Sequence, residues 1–274
     1  NTSEQYYFDV NEKNPTPKLI QKRERGVLYS VNSWNGYFYM HTNKNAEDFK
    51  IEKTKNIDFD KWETFIPEKK ETLIGGLTFL ENWIIRSEVS NALGKIFVRN
   101  LITNIEEELI FSDEKVYDGG ISLIQKDKKT DLIHISYSTP KTQSRVYLYN
   151  LKTKEKKLVK EQIIPSGHDP DNYIVERLDC DSHDGKKIPL TIVRNKKTKI
   201  DGNAKLLLYG YGSYGNSMSA SFSSNKFSLI DRDIIWVTAH VRGGLERGMK
   251  WWKEGKLLNK KNTFKDYISV AKFL

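Results

Sequence analysis

Cysteine is almost absent. Cys180 is the single one in 274 residues, so no disulfide can form within the chain, which points to a reducing compartment such as the cytoplasm. No run of about 18 apolar residues occurs, which excludes a helical membrane span. A charged-then-apolar signal pattern is missing from the N-terminus. So is an initial Met: the chain opens at Asn1 and enters the strand-like run Tyr6-Tyr7-Phe8-Asp9-Val10, as if in the middle of a fold. Long blocks of one charge sign are also lacking. Lys and Arg (45) outnumber Asp and Glu (36), giving a net charge of +9, but Lys is interleaved with acids. Its densest knots, at 152–160, 196–199 and 260–261, lie between apolar runs, where loops belong. No helix-turn-helix, zinc-finger or RNA-recognition pattern accompanies the charge, so a nucleic-acid partner is not expected. His41, His134, His168 and His183 have no second ligand at metal spacing, so neither metal nor cofactor is expected.

What is present is enough apolar material for a core (38% hydrophobic, 12% aromatic), set in short alternating runs. Three segments line up. One runs Gly36-Tyr37-Phe38-Tyr39-Met40, then a polar turn, then Phe49-Lys50-Ile51. The next runs Asn82-Trp83-Ile84-Ile85, a turn with Asn91 and Gly94, then Ile96-Phe97-Val98. The third runs Asp131-Leu132-Ile133-His134-Ile135, a turn with Pro140, then Val146-Tyr147-Leu148-Tyr149. Their starts at Tyr37, Trp83 and Leu132 are 46 and 49 residues apart. Repeats of roughly 45–50 residues with several short strands each predict β-propeller blades. An ordinary sandwich recurs every 8–12 residues or so, without this longer period. About three blades fit before residue 165, fewer than the four or more that close a wheel.

The character then changes. Pro165-Ser166-Gly167-His168-Asp169-Pro170 is rich in breakers and predicts a junction, with a partial propeller over 1–166 and a second unit over 167–274. A hairpin is expected from Tyr173–Leu178, a turn at Asp184-Gly185 and Ile188–Val193. Lys205–Tyr209 and Ile234–Ala239 are continuous apolar runs, expected as strands covered on both faces. A helix follows, with Thr263 as cap, Asp266 reaching back as in a capping box, and an apolar face of Phe264, Tyr267, Ile268 and Ala271. No stop signal precedes Leu274, so both chain ends read as cut.

Tyr209-Gly210-Tyr211-Gly212-Ser213-Tyr214-Gly215, then Val241-Arg242-Gly243-Gly244, Glu246, Gly248, Trp251, Gly255 and Lys260-Lys261-Asn262-Thr263-Phe264-Asp266-Tyr267, resemble the start of the hydrolase domain in the prolyl oligopeptidase family of serine peptidases. The oligopeptidase B (protease II) branch is also similar upstream, at Arg23-Glu24-Arg25-Gly26-Val27, Ser136–Pro140, Ser144–Tyr147, Asp169-Pro170, Tyr173 and Glu176-Arg177. Leu245 stands where the family has a third glycine. The resemblance covers nearly the whole chain. It implies late blades of a seven-bladed β-propeller followed by the N-terminal part of an α/β-hydrolase domain. The implied activity is cleavage of short basic peptides after Arg or Lys.

The nucleophile of that chemistry sits on a G-x-S-x-G turn beside a His oriented by an acid. No such pentapeptide occurs; in Tyr211-Gly212-Ser213-Tyr214-Gly215 a tyrosine replaces the first glycine. Ser213, Asp231 or Asp233, and His240 follow the triad order, but fall too close together in sequence for it. The chain is therefore expected to lack its catalytic Ser, Asp and His and to be inactive alone. The resemblance leaves one catalytic group, the Tyr211 hydroxyl, as an oxyanion-hole donor. Tyr214 is a candidate for lining the substrate pocket, and Arg242 and Glu246 for ordering the loop. The alternative is a non-catalytic, propeller-based binding remnant of a split or decayed gene.

Overall fold

The computed structural model describes residue 2 and residues 4–56, 58–110 and 112–274. A short antiparallel pair, β1 (Tyr6–Tyr7) and β2 (Lys18–Leu19), opens it. Three four-stranded antiparallel sheets follow, each a meander in chain order. The first holds β3 (Tyr29–Trp34), β4 (Tyr37–Thr42), β5 (Lys50–Thr54) and β6 (Glu63–Ile66). The second holds β7 (Thr72–Leu80), β8 (Trp83–Ser90), β9 (Leu93–Asn100) and β10 (Glu106–Glu108). The third holds β11 (Asp118–Leu123), β12 (Leu132–Ser138), β13 (Arg145–Asn150) and β14 (Lys156–Glu161).

These sheets are propeller blades because their middle strands bury both faces. Successive side chains of a strand point to opposite faces. In β8, Ile84 joins Tyr39, Ile51 and Ile74 in the core shared with the first blade. Its neighbour Ile85 joins Ile133, Ile135 and Tyr149 in the core shared with the third. Each fully buried Ile is worth about 1.5–3 kcal/mol. Tryptophans tie blade to blade: Trp34 Nε1 donates to the carbonyl of Leu80 at 3.1 Å, and Trp83 Nε1 to Asp131 at 2.7 Å.

The second unit is a mixed sheet in the order β15-β16-β18-β17. Its strands are β15 (Tyr173–Asp181), β16 (Lys187–Asn195), β17 (Lys205–Tyr209) and β18 (Ile234–Ala239). The expected hairpin is β15–β16, and Gly185 takes the left-handed conformation its turn needs (φ +79°). The helices are α1 (Ser224–Ile230), α2 (Gly248–Lys253) and α3 (Lys261–Phe273). β17 and β18 are parallel, joined by a crossover through α1. Ile188, Leu190, Val237, Ala239 and Val270 form one core; Tyr173, Val193, Phe227 and Ile230 form another. No helix among the described residues is long and apolar enough to cross a membrane.

Within these residues β17 is the outermost strand of the sheet, and Leu206 and Tyr209 are 39% and 41% exposed. Two expectations are corrected, both in α3. The buried face of α3 is Thr263, Asp266 and Val270, while Phe264 and Ile268 face outward. Thr263 does not cap the helix, which starts at Lys261. Its hydroxyl donates to the carbonyl of Arg242 at 2.6 Å, and Asp266 pairs with the Arg242 guanidinium. A buried guanidinium needs a carboxylate more than an exposed helix end needs a cap.

Candidate functional site

Because β17 and β18 run parallel, the loops at their C-terminal ends, 210–215 and 240–246, lie side by side. They touch backbone to backbone. A Cβ on Gly243 (φ +108°) would sit 1.9 Å from the carbonyl oxygen of Gly212. Gly215 N donates to Gly243 O at 2.9 Å. This contact requires glycine on both sides. Leu245, in place of the family's glycine, packs over Gly215, where no side chain competes with it.

Arg242 fixes the second loop from beneath. It is 1% exposed. Its Nε reaches Asp266 Oδ2 at 2.9 Å and its Nη2 reaches Asp266 Oδ1 at 2.5 Å. Nη1 reaches Asp184 at 2.6 Å, and Nη2 the hydroxyl of Ser182 at 3.1 Å. The backbone N of Arg242 also donates to Asp266 Oδ2, at 3.0 Å. Burial alone would lower the guanidinium's proton affinity; the bonds from Asp266 and Asp184 raise it overall. The planar fork thus binds a hairpin turn, a strand end and α3 together.

On this base stands the 210–215 loop. Lys260, just before α3, donates from Nζ to the Gly212 carbonyl, to Ser213 Oγ at 2.7 Å and to Thr263 Oγ1 at 3.3 Å. Tyr211 is 45% exposed, and among the described residues its hydroxyl makes no hydrogen bond. Tyr214 is 85% exposed in a left-handed conformation (φ +56°).

The residues in triad order are not brought together. Ser213 is held by Lys260, Asp231 accepts from the Tyr173 hydroxyl at 2.6 Å, and Asp233 accepts from Thr198 at 3.2 Å. His240 is fully buried, with Nε2 at 2.8 Å from Thr191 Oγ1. Burial, with the charges of Arg177 and Lys226, pushes its pKa down to about 3, so it is neutral at ordinary pH. His41 and His168 contact the carbonyls of Ile74 and Lys141. No metal-holding group of three His, Cys, Asp or Glu occurs among the described residues.

Reading the sequence missed Asp184, Ser182 and Lys260 as site-ordering groups. Asp184 read only as a turn residue, and Lys260 as part of a charge knot and of the family-like motif but with no role; neither carried a local signal for its distant partner.

Comparison with known proteins agrees with this fold. Residues 1–162 match the family model for the prolyl oligopeptidase N-terminal beta-propeller domain, and residues 220–274 match that for the prolyl oligopeptidase family. Dipeptidyl aminopeptidase BI of Pseudoxanthomonas mexicana is 34% identical over 93% of this chain and 35% of its own length. Protease 2 of Moraxella lacunata is 29% identical over 100% of this chain and 39% of its own. Among solved structures, oligopeptidase B from Trypanosoma brucei, in a closed form with covalently bound antipain, superposes with a TM-score of 0.90. It is 30% identical and matches 100% of this chain and 40% of its own. The chain thus spans 35–40% of the length of these relatives.

Proposed function

The chain belongs to the prolyl oligopeptidase family of serine peptidases, and from that premise we propose that it carries the later blades and the start of the peptidase domain of an enzyme that cleaves short peptides after Arg or Lys. The junction between the two falls at 166/167. The Ser, His and Asp of the acyl transfer lie outside these residues, so this stretch alone is inactive. No metal, cofactor, nucleic acid or membrane takes part, and the enzyme works in the cytoplasm.

Tyr211 supplies the oxyanion-hole donor, and Tyr214 lines the substrate pocket. The observation that carries this reading is a half-exposed phenol with an uncommitted hydroxyl, on a loop locked by the Gly212–Gly243 contact and the Arg242 clamp. Attack on a peptide carbonyl places negative charge on its oxygen. A fixed phenol O–H meets that charge without reorganising, and one such donor lowers the barrier by about 3–4 kcal/mol.

The test is Tyr211→Phe in the protein of the complete reading frame. The expected result is a fall in kcat of roughly 100-fold or more with KM little changed. An unchanged kcat sinks the assignment. Peptide amides with Arg, Lys or Pro before the scissile bond, and dipeptide amides with a free N-terminus, should be compared. Turnover confined to substrates other than the basic ones overturns the specificity.

A further inference from the structure

Beside the Tyr211 loop lies a cavity of about 480 Å³ lined by Ser213, Tyr214, Trp252, Lys256, Leu257 and Lys260. Two lysines and no carboxylate line it. Lys260 is satisfied by neutral oxygens only, from Gly212, Ser213 and Thr263. Lys256 places its ammonium 3.3 Å from the centroid of the Trp252 ring. Neither lysine pairs with an acid among the described residues, whereas Lys186, Lys187 and Lys253 nearby all do. Among the described residues, therefore, no acid neutralises either charge on this concave surface. Around them the walls are apolar and aromatic. Tyr214 and Leu257 are 85% and 84% exposed, and both hold left-handed backbone conformations (φ +56° and +49°) that a side chain rarely adopts without a constraint. Apolar walls with a few convergent polar groups are the composition of a small-ligand site.

We propose that this cavity is a carboxylate subsite that receives the free C-terminus of a short peptide, with Lys256 as the pairing cation and Tyr214 and Trp252 as the walls. The inference rests on the peptidase reading for its choice of a peptide as ligand, and deepens it. A substrate held at its terminal carboxylate next to the oxyanion donor is limited in length beyond the scissile bond, so short peptides are favoured by charge as well as by access.

Binding needs no nucleophile and is measured on the full chain. N-acetyl-trialanine as the free acid, the same peptide as its C-terminal amide, and an amidated peptide with one internal Glu are titrated by calorimetry. Quenching of tryptophan emission is followed in parallel. The free acid is expected to bind at least tenfold more tightly than its amide, and more tightly than the internal-Glu peptide. Lys256→Met is expected to remove that preference, and Lys256→Arg to keep it. Equal affinity for acid and amide, no binding of either, or a preference that survives Lys256→Met overturns the subsite. Equal affinity for the internal-Glu amide and the free acid overturns the assignment to the C-terminus. The binding readout involves no turnover, whereas the oxyanion assignment is read from kcat, so failure of the oxyanion assignment and failure of the subsite are read separately.

Discussion

The carboxyl of Glu246 is 1% exposed. Oε1 accepts from the amide of Met218 at 2.9 Å, while Oε2 is buried without a partner. Burial pushes its pKa from the ordinary 4.5 up to about 7, against the lowering effect of the amide bonds. The folded chain thus holds this proton to about pH 7, and the unfolded chain releases it near 4.5. Glu246 contributes most to stability below pH 4.5, and that contribution is lost as pH rises through 7. The loss amounts to roughly 3 kcal/mol. Glu246→Gln cannot ionise, although its new amide nitrogen meets the same partnerless surroundings at a constant cost of about 1–3 kcal/mol. The stability difference between the native chain and this variant should therefore change by about 3 kcal/mol between pH 4.5 and 8, in favour of the variant at the higher pH. Urea unfolding at the two pH values checks it. A difference independent of pH would show that Glu246 does not titrate in this window.

At the scale of elements, the Arg242 clamp joins parts that sequence alone leaves unrelated. Asp266 and Asp184 lie 24 and 58 residues from Arg242. Removing one partner of a buried ion pair strands the other charge. Asp266→Asn is accordingly expected to lower stability by about 3–5 kcal/mol, read in denaturant unfolding. A loss below about 1 kcal/mol would mean that Asp184 alone suffices for the guanidinium. The same contrast between local and distant signals explains what was legible beforehand. The second and third strands of each blade were visible, because their alternating aromatic and β-branched residues face two cores. The outer strands were not: β14, Lys156-Lys157-Leu158-Val159-Lys160-Glu161, is exposed along most of its length and carries no alternation. The leucines of β17 announced a strand, but not which neighbours would flank it. The apolar residues of α3 suggested a buried face. The face that packs is instead partly polar, because Thr263 and Asp266 serve Arg242. For the candidate site, Tyr211 and Tyr214 were marked by the glycine-rich motif, whereas Lys260 and Ser182 act through contacts of 47 and 84 residues' separation.

Across the whole molecule, the blades and the sheet unit are joined by a small set of polar contacts. Asp48, in the β4–β5 turn, is 4% exposed. Its Oδ1 accepts from Met249 N at the start of α2 at 2.6 Å, and its Oδ2 from Glu71 N at 2.8 Å. Gly248 (φ +78°) lies flush against that carboxylate, since a Cβ there would sit 2.2 Å from Oδ1. Around it, Arg247 pairs with Glu71, Lys253 with Glu47, Arg177 reaches the carbonyl of Asn91 at 2.6 Å, and Ala92 N donates to Glu246 O at 2.8 Å. These contacts are unequal. Glu71 and Lys253 are more than half exposed, and such ion pairs contribute about 0–1 kcal/mol each. Asp48 is buried, and Asp48→Ala leaves two amides without an acceptor, at about 1–3 kcal/mol each. Coupling between the two units should therefore depend on Asp48 far more than on Glu71. In scanning calorimetry, Asp48→Ala is expected to split or broaden the melting transition as the units unfold separately, while Glu71→Ala leaves its shape unchanged. If both variants melt in the native manner, this carboxylate does not couple the two units.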